Sequence, residues 1–422
     1  MSGNTHDVMV IGAGFAGMAA ALFAAQAGLS VAQSGVTGGI DFSTGFIDLM
    51  GVHPVAEGVR WDDPWAAVEA VSRDCSKHPY ARMNRPDMEA AIDGFTDFLA
   101  SQGLEYTGHA DRNCRALTPA GTVKRTWRVP RTAWKGVLAL ESAAPTVIVD
   151  FHGLKGFSGR QLVEMRKATW PGLRTARVTF PRGSGELYPE HMAWALADPK
   201  YRAKLAEAVA PHLGDAEYLG FPAVLGLVDP GRVVAHLEEL TGRQVFEIPT
   251  IPPSIAGPRL RGAFDRGLPP LGVRTLSQAT VTEAGMDRDG FRFVVGRGGG
   301  KTEVRAGAAI LATGRFFGKG LMADRHAIRE AVFDLPVVQP ETREQWHDRE
   351  FFNARGHAAN ASGLEVDELF RPLARDGRPA HERLFAAGAI LAHQDWMRMK
   401  CGAGLAITSA WRAVQGLRQG VD

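Results

Sequence analysis

The sequence predicts an α/β protein in which a parallel sheet carries a β-hairpin and a smaller α/β lobe is inserted into the chain. Three observations predict this. The chain opens on an apolar run, a glycine-rich turn and an alanine-rich helix. A second apolar run, preceded by a hairpin pattern, ends in Ala312-Thr313-Gly314. Between the two, residues 145–260 alternate short apolar runs with amphipathic stretches, as a small α/β lobe does. The chain has 422 residues, a length comfortable for two domains. We therefore expect one discontinuous domain over 1–144 and 261–422, and the lobe over 145–260.

The first element is Asp7-Val8-Met9-Val10-Ile11, a run apolar on both faces, which suits a strand buried in a parallel sheet. Gly12-Ala13-Gly14-Phe15-Ala16-Gly17 follows, then an alanine-rich helix to about Gly28 and a second strand over 29–32. This is G-x-G-x-x-G in the context of strand, turn and helix that the motif requires. Gly12 permits the tight turn, Gly14 lets backbone amides approach a phosphate, and Gly17 lets helix and strand pack closely. Phe15 and Ala16 open the helix, whose N-terminus turns its positive end toward the ligand. A nucleotide or a flavin is the ligand class this loop serves. The rival reading is an Ala/Gly-rich packing helix with no ligand.

An acid about 20 residues on normally holds an adenosine ribose. Here the second strand ends at Gln33-Ser34, and no Asp or Glu occurs before Asp41. Either Gln33 or Ser34 makes a weaker contact, or no adenosine ribose is held, which favours FMN over FAD or NAD.

The closing strand runs into Ala312-Thr313-Gly314, and 291–295 with 301–304 form a hairpin around Gly296 to Gly300. Flavoproteins of the two-dinucleotide type use this arrangement to return the chain beside the first loop. Leu384-Phe385-Ala386-Ala387-Gly388-Ala389 is a further short strand, leading to Gly402-Ala403-Gly404 and a last helix. In that helix Ile407, Ala410, Trp411, Val414 and Leu417 share one face. The unit resembles the flavin-binding end of that superfamily, which has Gly-Asp where this chain has Gly388-Ala389. Gly402 to Gly404 at a helix start would set amides and the helix dipole against the flavin pyrimidine edge. The fold class is thus a Rossmann-like flavin-binding domain with parallel sheet and β-hairpin, plus an inserted smaller α/β lobe.

Composition bounds the partners. Its 48 basic and 46 acidic side chains leave a net charge of +2, so nothing in the charge balance points to nucleic acid. Residues 8–40 lack charge, but the first Lys or Arg is Arg60 and Gly12, Gly14, Gly17 and Gly28 break the stretch, so neither a signal peptide nor a membrane span is expected. Cys75, Cys114 and Cys401 are too far apart in sequence for a CxxC pair, a metal site or an iron–sulfur cluster, and a reduced, cytosolic protein is expected. No metal site is expected.

Several strings together resemble one family. They are Phe42-Ser43-Thr44-Gly45 with Asp48-Leu49, His78-Pro79-Tyr80, and Ile248-Pro249-Thr250-Ile251-Pro252-Pro253-Ser254-Ile255 continuing to Gly257, Arg259 and Leu260. Leu311 to Phe317 with Gly320-Leu321 and Arg325 to Glu330, and Leu384 to Gly388, complete the set. The pattern is similar to the B subunit of anaerobic glycerol-3-phosphate dehydrogenase and runs from the first strand to the last helix. The resemblance implies a flavoprotein subunit with FMN (FAD being the alternative), with Ser43, Thr44 and Gly45 at the cofactor. It implies a larger catalytic FAD subunit and an iron–sulfur subunit that anchors the pair to the cytoplasmic face of the inner membrane. It also implies oxidation of sn-glycerol 3-phosphate to dihydroxyacetone phosphate, with electrons passed to quinone.

In the lobe, strands are expected over 146–151, 175–180, 223–227 and 244–248, and helices over 159–168 and 232–240. The Gly/Pro-rich 256–271 stretch is expected to be the return crossing. A phosphate ester needs Arg or Lys forks. Arg259 and Arg315 are the substrate candidates, with Arg261 and Arg371 behind them; the competing role of each is a structural ion pair. His78 and His393 are candidate proton acceptors that equally suit structural roles, and no catalytic residue is assigned. The Met and Trp residues of 392–399 suit packing or a partner-facing loop. A stand-alone flavin oxidoreductase and a non-catalytic scaffold with a degenerate flavin fold are the two other readings.

Overall fold

Val8, Met9, Val10 and Ile11 are buried on both faces of the first strand, Thr5–Ile11, as a strand covered from two sides must be. The computed structural model describes residues 5–36, 38–183, 185–252, 254–287, 290–297 and 300–419. Pro253 of the proline-rich string and Gly298-Gly299 of the hairpin turn lie outside the described residues. The chain forms two compact units, Met1–Ile40 with Asp48–Phe95 and Phe264–Asp422, and Asp41–Ile47 with Thr96–Ala263. The second unit thus takes in more of the chain than the 145–260 lobe read from the sequence.

The first unit is built on a sheet ordered Arg274–Ser277, Val31–Gly35, Thr5–Ile11, Gly300–Leu311, Gly290–Arg297, Thr280–Asp287. The first four of these run parallel, and Leu384–Ala386 joins them in parallel on Gly300–Leu311. The long closing strand Gly300–Leu311 does two jobs. Its first half pairs antiparallel with Gly290–Arg297, the expected hairpin, and its second half pairs with the first strand, Ile11 opposite Leu311. Ile11 also faces Ser34, and Leu311 faces Ala386. Four parallel strands therefore end at one edge, where ligands of open α/β sheets bind.

Over this sheet the helix Phe15–Gln26 buries an unbroken run from Ala16 to Ala24 and packs against the terminal helix Gly402–Gln419. The small alanine side chains allow a close helix–sheet approach. None of the described helices is long and apolar enough to cross a membrane.

The second unit holds a parallel four-stranded sheet ordered Gln244–Ile248, Tyr218–Pro222, Thr146–Phe151, Leu173–Val178. Phe151 is central to its core, edge-on to Phe180 at 5.5 Å and stacked on Phe221 at 6.4 Å. The strand expected over 223–227 lies at Tyr218–Pro222 instead. Ala223, Val224 and Leu225 are buried but form a loop whose backbone is bonded by side chains: Glu247 Oε1 accepts the Leu225 N–H at 2.7 Å, and Arg259 Nε donates to the Gly226 carbonyl at 2.8 Å. An apolar run read alone cannot distinguish such a loop from a strand. The expected crossing over 256–271 is, for the most part, the helix Ala256–Gly267. Its proline, Pro258, sits in the first turn, where a missing N–H costs nothing.

Candidate functional site

The first strand delivers Gly12 to the sheet edge at φ +140°, and its amide donates to the Ser34 carbonyl at 2.7 Å. A Cβ at Gly12 would stand 2.1 Å from the Ala312 carbonyl oxygen, and one at Gly17 would stand 2.1 Å from the Gly12 oxygen. Both glycines are required by backbone contact alone. Gly14 differs: a Cβ there meets nothing within 4 Å, and its φ of −87° suits any residue. Gly14 is the N-cap of Phe15–Gln26, no side chain caps that helix, and its first turn carries no acid. Open space thus lies over uncapped backbone N–H groups at the positive end of a helix, which fits an anionic phosphate.

Around this loop the other strand ends gather. Ala312 donates its amide to the Ile11 carbonyl, and Ala387 donates to the Leu311 carbonyl, both at 2.9 Å. The Thr313 hydroxyl is buried without a hydrogen-bond partner, and Gly314 turns the chain at φ +68°. Gly388, at φ +79°, leaves only 2.5 Å between an added Cβ and that of Ala16, and its amide is held by Ser409 Oγ at 2.8 Å.

Gln33 and Ser34, expected to face a ribose, turn inward. Each is 1% exposed; Gln33 Nε2 donates to the Gly12 carbonyl at 3.0 Å and Ser34 Oγ donates to the Ala279 carbonyl at 3.2 Å. The strand ends instead at Gly35, where a Cβ would stand 2.7 Å from the Ala13 nitrogen. No side chain fits where a ribose-binding acid belongs. Gly38 likewise lies on the loop, its added Cβ 2.8 Å from the Gly14 nitrogen. Sequence reasoning passes over both glycines, and their only signal is the cluster from Gly35 to Gly39.

At the start of the terminal helix, Gly404 donates its amide to the Asp48 carbonyl at 2.8 Å, and a Cβ on it would stand 2.6 Å from that oxygen. It is a packing glycine whose amide is taken within the fold. Gly402 is packed against the Trp396 ring, 2.9 Å from an added Cβ, and Ala403 follows it in the same first turn.

Ser43, Thr44 and Gly45 belong to the second unit. There Ser43 Oγ accepts the Gly45 N–H at 2.9 Å, and Tyr106 donates its hydroxyl proton to the Gly45 carbonyl at 2.8 Å. Arg259 is in the same unit. Only 5% exposed, it meets Glu247 through two N–H···O contacts of 2.7 and 2.8 Å. Its fork faces a buried carboxylate, the structural ion pair that is the competing role for it.

Arg315 is 9% exposed and ties together the turn beyond Leu384–Ala386, donating to the Leu391 and Gln394 carbonyls at 3.0 and 2.7 Å. Burial lowers its pKa to about 10, which leaves it charged at neutral pH. Near it Cys401 is fully buried, and burial holds its thiol above the usual range.

His78 is fully buried and caps a short 3-10 turn, its Nδ1 accepting the Tyr80 N–H at 3.1 Å. Burial above all, with the charges of His53, His393 and Arg82, lowers its pKa from 6.5 to about 3. It stays neutral in the folded state, while the unfolded chain takes up a proton below the usual value. Its contribution to stability is complete above 6.5 and is lost as pH falls toward 3, by about 1.4 kcal/mol per pH unit. We expect the parent to lose stability more steeply than His78→Asn on acidification from about pH 6.5 to 4, the slopes differing by about one proton. Denaturant titrations at several pH values check this, and equal slopes would contradict it. His393 reaches Glu365 at 3.4 Å in a partly buried pair.

Residues 7–405 match the FAD binding domain family. The chain is 32% identical to the B subunit of the probable anaerobic glycerol-3-phosphate dehydrogenase of Halobacterium salinarum, over 96% of both chains. It is 30% identical to the B subunit of the anaerobic glycerol-3-phosphate dehydrogenase of Vibrio vulnificus, over 99% of this chain and 98% of that one. With the corresponding subunit of Aliivibrio fischeri it shares 27% over 97% and 95%.

Proposed function

The chain belongs to the family of anaerobic glycerol-3-phosphate dehydrogenase B subunits, built on the FAD binding domain, and on that premise we propose that it is a flavoprotein subunit of a respiratory glycerol-3-phosphate dehydrogenase. It is a flavin-dependent oxidoreductase. The observation that carries the proposal is the uncapped helix start at Gly14, open above and placed where four parallel strands end.

The residues of this chain divide the work. Gly12 and Gly17 shape the loop, the Gly14 turn and the first turn of Phe15–Gln26 would hold a flavin phosphate, and Thr313 offers an unspent hydroxyl. Gly402 and Ala403 open the helix Gly402–Gln419, whose positive end would stabilise negative charge on the flavin. When bound, the flavin accepts two electrons from an alcohol or from a partner's flavin and passes them on. The overall change is oxidation of the C2 alcohol of sn-glycerol 3-phosphate to the ketone of dihydroxyacetone phosphate, its two electrons and two protons converting a quinone to a quinol.

FMN is the cofactor we favour, because Gly35 leaves no room for a ribose-binding side chain and both Gln33 and Ser34 are spent inside the fold. FAD is the second reading, favoured by the family that the chain matches. The partners of this reading are a catalytic FAD subunit and an iron–sulfur subunit at the cytoplasmic face of the inner membrane.

The reading is tested by adding sn-glycerol 3-phosphate without oxygen to the chain alone and to the co-purified complex. We expect the complex to reduce a quinone analogue and the isolated chain to show no turnover with a soluble acceptor. Steady turnover by the isolated chain would replace this reading with a stand-alone oxidoreductase.

A further inference from the structure

In the second unit the strands Thr146–Phe151 and Leu173–Val178 lie side by side and parallel, and a cavity of about 420 Å³ opens past their carboxyl ends. Phe180, just beyond the second of these strands, lines it. So does Leu187, whose amide donates at 2.9 Å to the carbonyl of Gly153, just beyond the first. The carboxyl edge of a parallel sheet is where open α/β folds bind ligands, and the volume is that of a small-molecule site.

The floor of this cavity belongs to the core of the unit. Phe180 and Met192 are both buried, and Phe180 stands edge-on to Phe151. The rim is aromatic and faces water: Tyr188 is 52% exposed and Trp194 63%, and large aromatic side chains seldom keep such exposure without a use. His191 lies edge-on to the Tyr188 ring at 5.7 Å. The cation of the lining is Arg182, 5.6 Å from the Tyr201 ring, and among the described residues no carboxylate pairs with it. Glu186 also lines the cavity, but Lys155 Nζ meets it at 2.9 Å and the pair carries no net charge. Beside Tyr201, Lys200 is likewise answered by Asp198 at 3.0 Å. One positive charge is left unanswered next to an aromatic rim.

We propose that this cavity binds a small planar aromatic carboxylate. The ring covers the apolar floor and the faces of Trp194 and Tyr188, and the carboxylate oxygens accept the N–H donors of the Arg182 fork. A dianion would exceed the single charge on offer, and an aliphatic acid would leave the exposed rings without a stacking partner. The cavity is lined wholly by residues of the second unit and does not depend on the flavin reading.

The test is calorimetric titration of the full chain, with its flavin bound, by naphthoate, by the neutral naphthylmethanol and by cyclohexanecarboxylate. We expect saturable binding of one naphthoate per chain, weakened about tenfold by Trp194→Ala and about tenfold by Arg182→Gln. The neutral alcohol should bind about tenfold more weakly than naphthoate and be indifferent to Arg182→Gln. The cyclohexane acid should also bind more weakly and be indifferent to Trp194→Ala. Both side chains are exposed, so the variants should fold as the parent does, which circular dichroism checks. No saturable binding of naphthoate, binding that either variant leaves unchanged, or equal binding of either control ligand would overturn the proposal.

Discussion

Arg259→Ala should cost the protein about 3–5 kcal/mol, the largest stability loss expected of any single side-chain truncation in the second unit. Glu247 and Arg259 are both buried, with 2.7 and 2.8 Å contacts between them. Glu247 Oε1 also holds the Leu225 amide, and Arg259 Nε the Gly226 carbonyl. Removing the arginine leaves a carboxylate buried without its counter-charge and frees a carbonyl inside the fold. The penalty is mostly the stranded charge and only in part the pair's net worth. Arg259→Met combined with Glu247→Leu should therefore be less damaging than Arg259→Ala alone, and denaturant titration of the three chains measures the difference. If Arg259→Ala proves as stable as the parent while its KM for substrate rises, this arginine serves the substrate after all.

The second large effect separates two glycines three residues apart. Gly17→Ala drives a methyl to 2.1 Å from the Gly12 carbonyl oxygen, backbone against backbone, and should destabilise the first unit by about 3 kcal/mol. Gly14→Ala meets nothing within 4 Å, so its melting temperature without cofactor should match the parent's. The new methyl occupies the space over the helix start, where a phosphate must approach the amides. We expect flavin affinity to fall about tenfold or more, which corresponds to about 1.4 kcal/mol. Circular dichroism and flavin fluorescence on the same samples read the two effects. A Gly14→Ala chain that keeps full flavin occupancy would place the phosphate elsewhere.

Much of the first unit is legible in the sequence because each signal there is local. A both-face apolar run is a buried strand, and glycines at 12, 14 and 17 between strand and helix can do little else. The hairpin and the return strand into Ala312-Thr313-Gly314 follow from the same patterns. What escapes such reading depends on contacts distant in sequence. Nothing local shows that Gly35 closes on Ala13, twenty-two residues earlier, or that Gly404 packs on Asp48. The place of Arg259 after a proline turn suggests a ligand, although what decides its role is Glu247, a residue whose burial no pattern announces. The loop at Ala223–Leu225 misleads for a related reason: the Ile248 carbonyl takes the Ala223 amide and the Glu247 side chain takes that of Leu225, both distant in sequence, so apolar residues there need no strand of their own.

A flavin held by the Gly12–Gly17 loop without a ribose-binding side chain is tested by identifying the flavin on the purified chain, by absorbance and then by acid release and chromatography. FMN is expected, near one per chain and bound about tenfold more weakly or worse in Gly14→Ala. FAD would contradict the argument from Gly35, Gln33 and Ser34, and a chain that takes up neither flavin would contradict the site itself.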